Sequence, residues 1–280
     1  VKVSGLMGGH SGSEIDKKRA NANIVMGRFL YALKQEADYE IISYEGGQKD
    51  NAITREAICE ILVAREDVEA VKASAAKAED GLREEYAGTD GNITVQITEE
   101  GHAETDVLHP TSREKVLFYL VQIPFGIQKM SGSIEGLVET SINPGILMLN
   151  EEECKIVSSV RSSIDSAKDA LTAKVCYLSE FLGGDCVTEG DYPAWEYRKE
   201  SKLRDIMVDS YKELFGDGPE VKAIHAGLEC GLFYEKIEGL DAVSFGPTMK
   251  DIHTTEEVLS ISSTARMWDY LVKVLENIKA

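Results

Sequence analysis

Basic residues are scarce in this sequence, and their scarcity excludes one large class of partner. Thirty Lys and Arg stand against 49 Asp and Glu, which gives a formal net charge of −19. A surface of this charge repels phosphate backbones, so we exclude nucleic acid as a partner. No apolar run reaches the roughly 18 residues that a membrane-spanning helix needs, and no signal peptide opens the chain. The sequence therefore indicates a cytoplasmic protein that does not bind a membrane.

Cysteine is also sparse, and its five residues form no CxxC pair. An odd number without regular spacing predicts reduced thiols, as in a cytosolic protein. The motifs HxD and HExxH, which mark many metal sites, are missing from these 280 residues. The sequence thus predicts neither a disulfide framework nor a complete metal site of its own.

The first hundred residues alternate between strand and helix patterns in the order β-α-β-β-α-β. This order favours an antiparallel sheet with both helices on one face. The predicted strands are VKVSGL, 39–47, 55–64 and 92–100. The predicted helices are 13–36 and 67–86.

A similar order recurs to residue 190, so we predict an α+β domain over 1–190 and infer that it duplicates a βαββαβ unit. The elements predicted there are a helix over 112–124, two or three strands over 137–162, a helix over 164–182 and a strand in DCVTEG (185–190).

After Asp191 the sequence pattern changes and predicts short buried strands and helices, typical of a parallel-type α/β sheet. Helices are predicted over 201–215 and 261–278, with a strand, turn, helix and strand between residues 216 and 247. About 90 residues supply too few strands to close such a sheet, which would leave edges and a helix face uncovered. We therefore predict that 191–280 is half of an α/β domain.

His10 lies in GGHSG, at a predicted turn between a strand and a helix. Glycines there allow a tight turn and a close backbone approach, which suits an imidazole presented to a ligand. The alternative is a surface histidine beside a serine helix cap, and the residues alone favour that alternative.

HAGLECG places His225 and Glu229 where a strand leads into a helix, a common position for ligand sites in open α/β sheets. Gly227 and Gly231 would let a substrate approach the backbone, although a tight turn with a buried polar pair explains the segment equally well. His253 follows on a loop that suits a zinc ligand, but the residues around it supply no other ligand.

Asn51 and Arg161 are polar residues in or beside predicted strands. Arg161 in VRSS could bind a carboxylate through two hydrogen bonds. A surface ion pair is the commoner use of such an arginine.

Taken together, these stretches resemble the zinc-dependent aminoacylase/carboxypeptidase/dipeptidase family, and most closely its aminoacyl-histidine (Xaa-His) dipeptidases. The resemblance runs through the whole chain in order. It is carried by GLMGGHSGSEIDKKRANAN, GGQKDNAITREA, VETSINPG, VRSS, AIHAGLECGLFYEKIEGLDAVSFGP and IHTTEEVLSISSTARMWDYL.

The resemblance implies an inserted lid domain over 1–190 and the C-terminal part of a catalytic domain over 191–280. It implies that His10 is the lid histidine that stabilises the oxyanion, and that Asn51, Arg161 and Gly227 bind substrate. His253 would be one metal ligand, although the family's HSPDE reads HTTEE here. No role follows for Glu229.

The resemblance further implies two-zinc hydrolysis of Xaa-His dipeptides such as carnosine, with other divalent metals possible, by a homodimer. The remaining metal ligands and the general base have no match here. We therefore expect the chain to be the C-terminal part of a longer enzyme, inactive by itself and without tightly bound zinc.

Two alternatives stay open. One is a stand-alone binding or oligomerisation module derived from the lid. The other is a related exopeptidase or deacylase with a different substrate preference.

Overall fold

A computed structural model describes residues 1–195, 197–225, 229–250 and 257–278. The chain divides into two compact units. Unit 1 comprises residues 1–190 with 224–226, and unit 2 comprises 191–223 with 227–280. Within the described residues, no helix is both long and apolar enough to cross a membrane.

Unit 1 consists of strands and helices in mixed order. Its strands are β1 (Lys2–Ser4), β2 (Gly9–His10), β3 (Tyr39–Gly46), β4 (Ala52–Ile53), β5 (Ala57–Val63), β6 (Thr94–Gln96), β7 (Gly126–Met130), β8 (Val138–Leu149) and β9 (Cys154–Ser162). Its helices are α1 (Ala22–Leu33), α2 (Val68–Glu85), α3 (Pro110–Gln122) and α4 (Asp165–Phe181).

The main sheet of unit 1 is antiparallel throughout, with the order β6-β1-β5-β3-β8-β7. Strand β9 adds to it by pairing with β8 over the whole of β9. A separate two-stranded ladder joins β2 to β4. The predicted antiparallel sheet is therefore confirmed.

One hydrophobic core joins the main sheet to helices α1, α2 and α3. Val25 and Leu30 of α1, together with Leu120 of α3, are at most 2% exposed within it. This burial removes the apolar face of each helix from water and is the main stabilising contribution of the unit. A smaller core packs α4 against β8 through Ile142, Leu171 and Val175.

The predicted duplication is not confirmed. The second half of unit 1 runs α3-β7-β8-β9-α4, and no strand follows α4 at DCVTEG. The chain turns back there because Gly183 has a φ of +82° and its neighbour Gly184 donates a hydrogen bond to the carbonyl of Ser179. A disulfide then joins Cys176 in α4 to Cys186. The prediction that all five cysteines are reduced was therefore wrong.

Helix α1 begins nine residues later than predicted. Lys18 adopts a left-handed conformation with a φ of 54°, which ends a short 3-10 turn over Ile15–Lys17. The helix proper starts after Asn21, whose side chain accepts hydrogen bonds from the amides of Asn23 and Ile24. An asparagine cap of this kind fixes the first turn of a helix.

Unit 2 is mainly helical in the part that the structure describes. Its elements are α5 (Lys202–Phe215), α6 (Glu229–Lys236), β10 (Met249–Lys250), β11 (Val258–Leu259) and α7 (Ile261–Asn277). Helices α5 and α7 pack around Met207, Tyr270 and Val274. Helix α7 leaves an apolar stripe exposed, formed by Ile261, Trp268, Val272 and Leu275.

The two longer strands predicted between residues 216 and 247 are not found in the described part of unit 2. Val221 and Phe245, which would lie in them, are 50% and 43% exposed. A strand needs neighbouring strands to accept and donate its backbone hydrogen bonds. The described residues of unit 2 pair only β10 with β11, so the predicted parallel sheet is absent there.

Candidate functional site

The β2–β4 ladder sets His10 beside Asn51 in unit 1. His10 pairs with Ala52, and the amide of the next residue, Ser11, donates to the carbonyl of Asn51 at 2.8 Å. The two residues predicted to act together are thus neighbours at one antiparallel ladder, although 41 positions separate them in the sequence.

The backbone after His10 selects the tautomer of its neutral ring. The amides of Gly12 and Ser13 both donate to Nδ1 of His10, each at 3.1 Å. Nδ1 is therefore an acceptor, and the neutral imidazole carries its proton on Nε2. The turn GGHSG thus prepares His10 to donate a hydrogen bond from Nε2.

Glu14 holds the backbone of His10 in place. Its carboxylate accepts from the amide of His10 at 2.9 Å and from Nη1 of Arg19 at 3.1 Å. The bond from the His10 amide is the main cause that lowers the pKa of Glu14, and the charge of Arg19 lowers it further. Glu14 is therefore ionised at neutral pH and keeps both contacts.

Asn143 in β8 anchors the segment that carries Asn51. Its Nδ2 donates to the carbonyls of Asp50 and Ala52 at 3.2 and 2.8 Å, and its Oδ1 accepts from Asn21 at 3.0 Å. Asn21 and Asn143 are both at most 1% exposed. The NAN and INPG stretches of the sequence therefore build the frame of the site.

Arg161 lies in β9 directly opposite Ser141 of β8. Its Nε is buried and has no hydrogen-bond partner among the described residues. Burial lowers the pKa of Arg161, while the negative charge of Asp50 opposes that effect. A buried guanidinium with an unsatisfied N–H is suited to bind an anion such as a carboxylate.

Gly12 is the point where three segments meet. A Cβ placed on Gly12 would lie 2.6 Å from the His225 carbonyl oxygen, 3.1 Å from Cε1 of His10 and 3.2 Å from Nε of Arg161. The structure thus brings His10, Arg161 and the backbone of His225 together around Gly12. Only a residue without a side chain fits at this point.

The sequence placed His225 at a common position for ligand sites but assigned it no specific contact. Its Nε2 lies 2.7 Å from Oγ of Ser141, and its ring also bonds to the backbone of Val138. Burial and the nearby charge of Arg161 lower its pKa to about 4, so the ring is neutral at pH 7. HAGLE marked His225 as half of a buried polar pair, but its partner is Ser141 on a distant strand.

Two predicted site residues, Gly227 and His253, lie outside the described residues. Glu229 is described and begins α6. Within the described ranges, no three His, Cys, Asp or Glu side chains are grouped so that they could hold a metal ion.

Comparison with known proteins agrees with this fold. Residues 1–90 match the protein family described as peptidase dimerisation domain (M20_dimer). The whole chain is 33% identical to the cytosol non-specific dipeptidase of Escherichia coli (strain K12), of which it spans 58%. It also matches the crystal structure of aminoacylhistidine dipeptidase from Vibrio alginolyticus, with a TM-score of 0.89 and 34% identity. That match covers 99% of this chain and 56% of the other.

Residues 1–90 are therefore similar to a peptidase dimerisation domain, and the chain as a whole has a mixed α/β fold similar to that of a dipeptidase. The resemblance to the aminoacyl-histidine dipeptidases is confirmed. The chain spans a little more than half the length of the relatives that it matches.

Proposed function

We propose that this chain forms the lid and the C-terminal part of a metallo-dipeptidase that hydrolyses Xaa-His dipeptides such as carnosine. The similarity to two dipeptidases along the whole chain supports the reaction class. The grouping of His10, Asn51 and Arg161 in unit 1 supports a substrate-binding role for the lid.

The observation that carries this proposal is the paired amide contact to Nδ1 of His10. It leaves a proton on Nε2, which can donate to the oxyanion that develops when a peptide carbonyl is attacked. Arg161 then binds the C-terminal carboxylate of the dipeptide, and Asn51 orients the peptide between the two. The backbone of Gly227 lines the same substrate pocket.

Zinc is the proposed metal, and other divalent ions are alternatives. When bound, such a metal polarises the scissile carbonyl and lowers the pKa of a water molecule. His253 would contribute one ligand. The described residues do not themselves form a metal site, so the other ligands must come from outside them.

We propose a cytoplasmic homodimer as the working form, which the match to a peptidase dimerisation domain and the cytosolic relative support. In such a dimer, His10 could serve the site of either subunit. Mixing His10→Ala with His253→Ala protein tests this directly, because an intact His10 and an intact His253 can meet in one site only if the lid of one subunit serves the metal site of the other. Recovery of activity in the mixture is the result expected if one subunit supplies His10 to the other.

The proposal is tested by assaying carnosine hydrolysis with the full-length gene product and added zinc. His10→Ala should lower kcat about 100- to 1000-fold, since it removes an oxyanion donor. His102→Ala, at an exposed histidine, is the matched control and should keep full activity. Unchanged kcat in His10→Ala would refute the assigned role.

The 280-residue chain assayed alone should not hydrolyse carnosine. Turnover by that chain would contradict the proposal that other parts of the enzyme are needed. Hydrolysis of N-acyl amino acids without hydrolysis of dipeptides would instead favour a deacylase of the same family.

A further inference from the structure

The hydrogen bond between Ser141 and His225 links two distant parts of the chain beside the site. The side chains are 84 positions apart, and their residues are 1% and 9% exposed. Ser141 stands opposite Arg161 in the β8–β9 register. The bond therefore attaches His225 to the same strand pair that carries Arg161.

The attached segment contributes to the surroundings of the guanidinium. The carbonyl oxygen of His225 and Nε of Arg161 both lie within 3.2 Å of the Cβ position at Gly12. Moving His225 away would open space next to Nε, and a long guanidinium side chain would then gain alternative rotamers. The position of His225 thus restricts where Arg161 can lie.

The charge state of His225 suits this place. A protonated imidazole next to a guanidinium would be repelled and would compete for the same anion. The uncharged ring instead engages Ser141 and Val138, which satisfies its polar atoms within the protein. Asp50 is the charged neighbour that raises the pKa of Arg161, and it makes no hydrogen bond to Nε.

We propose that the Ser141–His225 pair is a positioning device that holds Arg161 with its Nε–H available for the substrate carboxylate. The pair does not touch the reacting atoms and acts through Arg161. This inference rests on the proposed function, because it takes the carboxylate of a dipeptide as the ligand of Arg161.

The test is a binding experiment on the 15N-labelled full-length gene product, kept free of metal so that carnosine is bound but not hydrolysed. The Nε–H signal of Arg161 is followed by NMR during titration with carnosine and, in parallel, with carnosine amide, which lacks the carboxylate. The wild type should bind carnosine more tightly than the amide, and Arg161→Ala should lose that preference.

Ser141→Ala should reduce the preference for carnosine over the amide about three- to tenfold, the loss expected from one hydrogen bond. Ser162→Ala is the matched control, since Ser162 bonds to Thr140 in the same strand pair and should leave the preference unchanged. His225→Gln, which can still bond to Ser141, should keep more of the preference than His225→Leu. A thermal melt of each variant reports folding independently of this ratio.

The outcomes separate the two proposals. If the wild type prefers carnosine and Ser141→Ala and His225→Leu keep that preference in full, the positioning role is wrong and the proposed function stands. If the wild type does not distinguish carnosine from its amide, the carboxylate-binding role of Arg161 fails, and the positioning role fails with it.

Discussion

His10 shows how a short backbone turn can set the chemistry of a side chain. Two amides converge on Nδ1, so the tautomer follows from the local fold. The sequence indicated the turn through its glycines, but it could not show that both amides point at the ring. That orientation depends on the β2–β4 ladder, whose two strands are far apart in the chain.

A substitution at Gly12 tests how closely His10, Arg161 and His225 pack around it. Gly12→Ala places a Cβ 2.6 Å from a backbone oxygen of His225, so the backbone must shift. We expect a loss of about 1–3 kcal/mol in the free energy of unfolding, measured by urea denaturation. Gly132→Ala is the control, because no atom lies within 4 Å of its Cβ position. Equal stability of the two variants would contradict the close packing at Gly12.

His225 should make the stability of unit 1 depend on pH. Its folded pKa of about 4 lies below the unfolded value near 6.5, so between these values the unfolded chain binds the proton first. Stability is therefore complete above pH 6.5 and falls as the pH approaches 4, by about 3 kcal/mol in total.

Urea unfolding at pH 7 and pH 4.5 measures this change. His225→Gln should be less sensitive to acid than the wild type, whereas His102→Gln, at an exposed histidine, should behave as the wild type does. A His225→Gln protein with undiminished acid sensitivity would show that other groups cause the effect.

At the scale of elements, β8 is the organising strand of unit 1. Its first residues pair with β7 and its last residues with β3, while β9 pairs with both parts, and its Asn143 also anchors the segment before β4. Asn143→Ala would leave the carbonyls of Asp50 and Ala52 without their buried donor. We expect a loss of about 2–4 kcal/mol in the free energy of unfolding.

Asn150→Ala, in the exposed turn after β8, provides the comparison for Asn143→Ala. Its side chain accepts from the amides of Glu152 and Glu153, so its loss should cost only about 1 kcal/mol. Equal losses in the two variants would show that the buried hydrogen bonds of Asn143 stabilise the protein no more than the exposed ones of Asn150.

Long periodic elements were predicted closely, and local interruptions were not. Helix α2 was predicted over 67–86 and is found at Val68–Glu85, because repeated apolar spacing marks it clearly. Strand β7 was not predicted, since only two of its residues are half-buried and the rest are exposed. The left-handed Lys18 likewise has no signal in the sequence, so the start of α1 was misplaced.

The site was predicted in part for a similar reason. His10, Asn51 and Arg161 lie in recognisable motifs, whereas Ser141 is one hydroxyl within a strand. Its contact with His225 spans 84 positions and depends on the folded sheet. No local pattern encodes a contact of that range.

At the scale of the whole molecule, the net charge of −19 governs association. Two like-charged copies repel each other, and salt screens that repulsion. We expect the proposed homodimer to tighten as NaCl rises from about 20 to 200 mM, where the screening length falls below about 10 Å. Sedimentation equilibrium at several salt concentrations measures the dissociation constant. Dissociation on adding salt would instead indicate an interface held by opposite charges.

The placement of residues 224–226 in unit 1 also sets an order of assembly during synthesis. Strands β1 to β9 leave the ribosome well before His225 does, so the main sheet can form while unit 2 is still incomplete. Until residue 225 emerges, Ser141 has no imidazole to bind and Gly12 has no carbonyl beside it. The Ser141–His225 contact and the packing at Gly12 are therefore completed late, after most of the main sheet has been made.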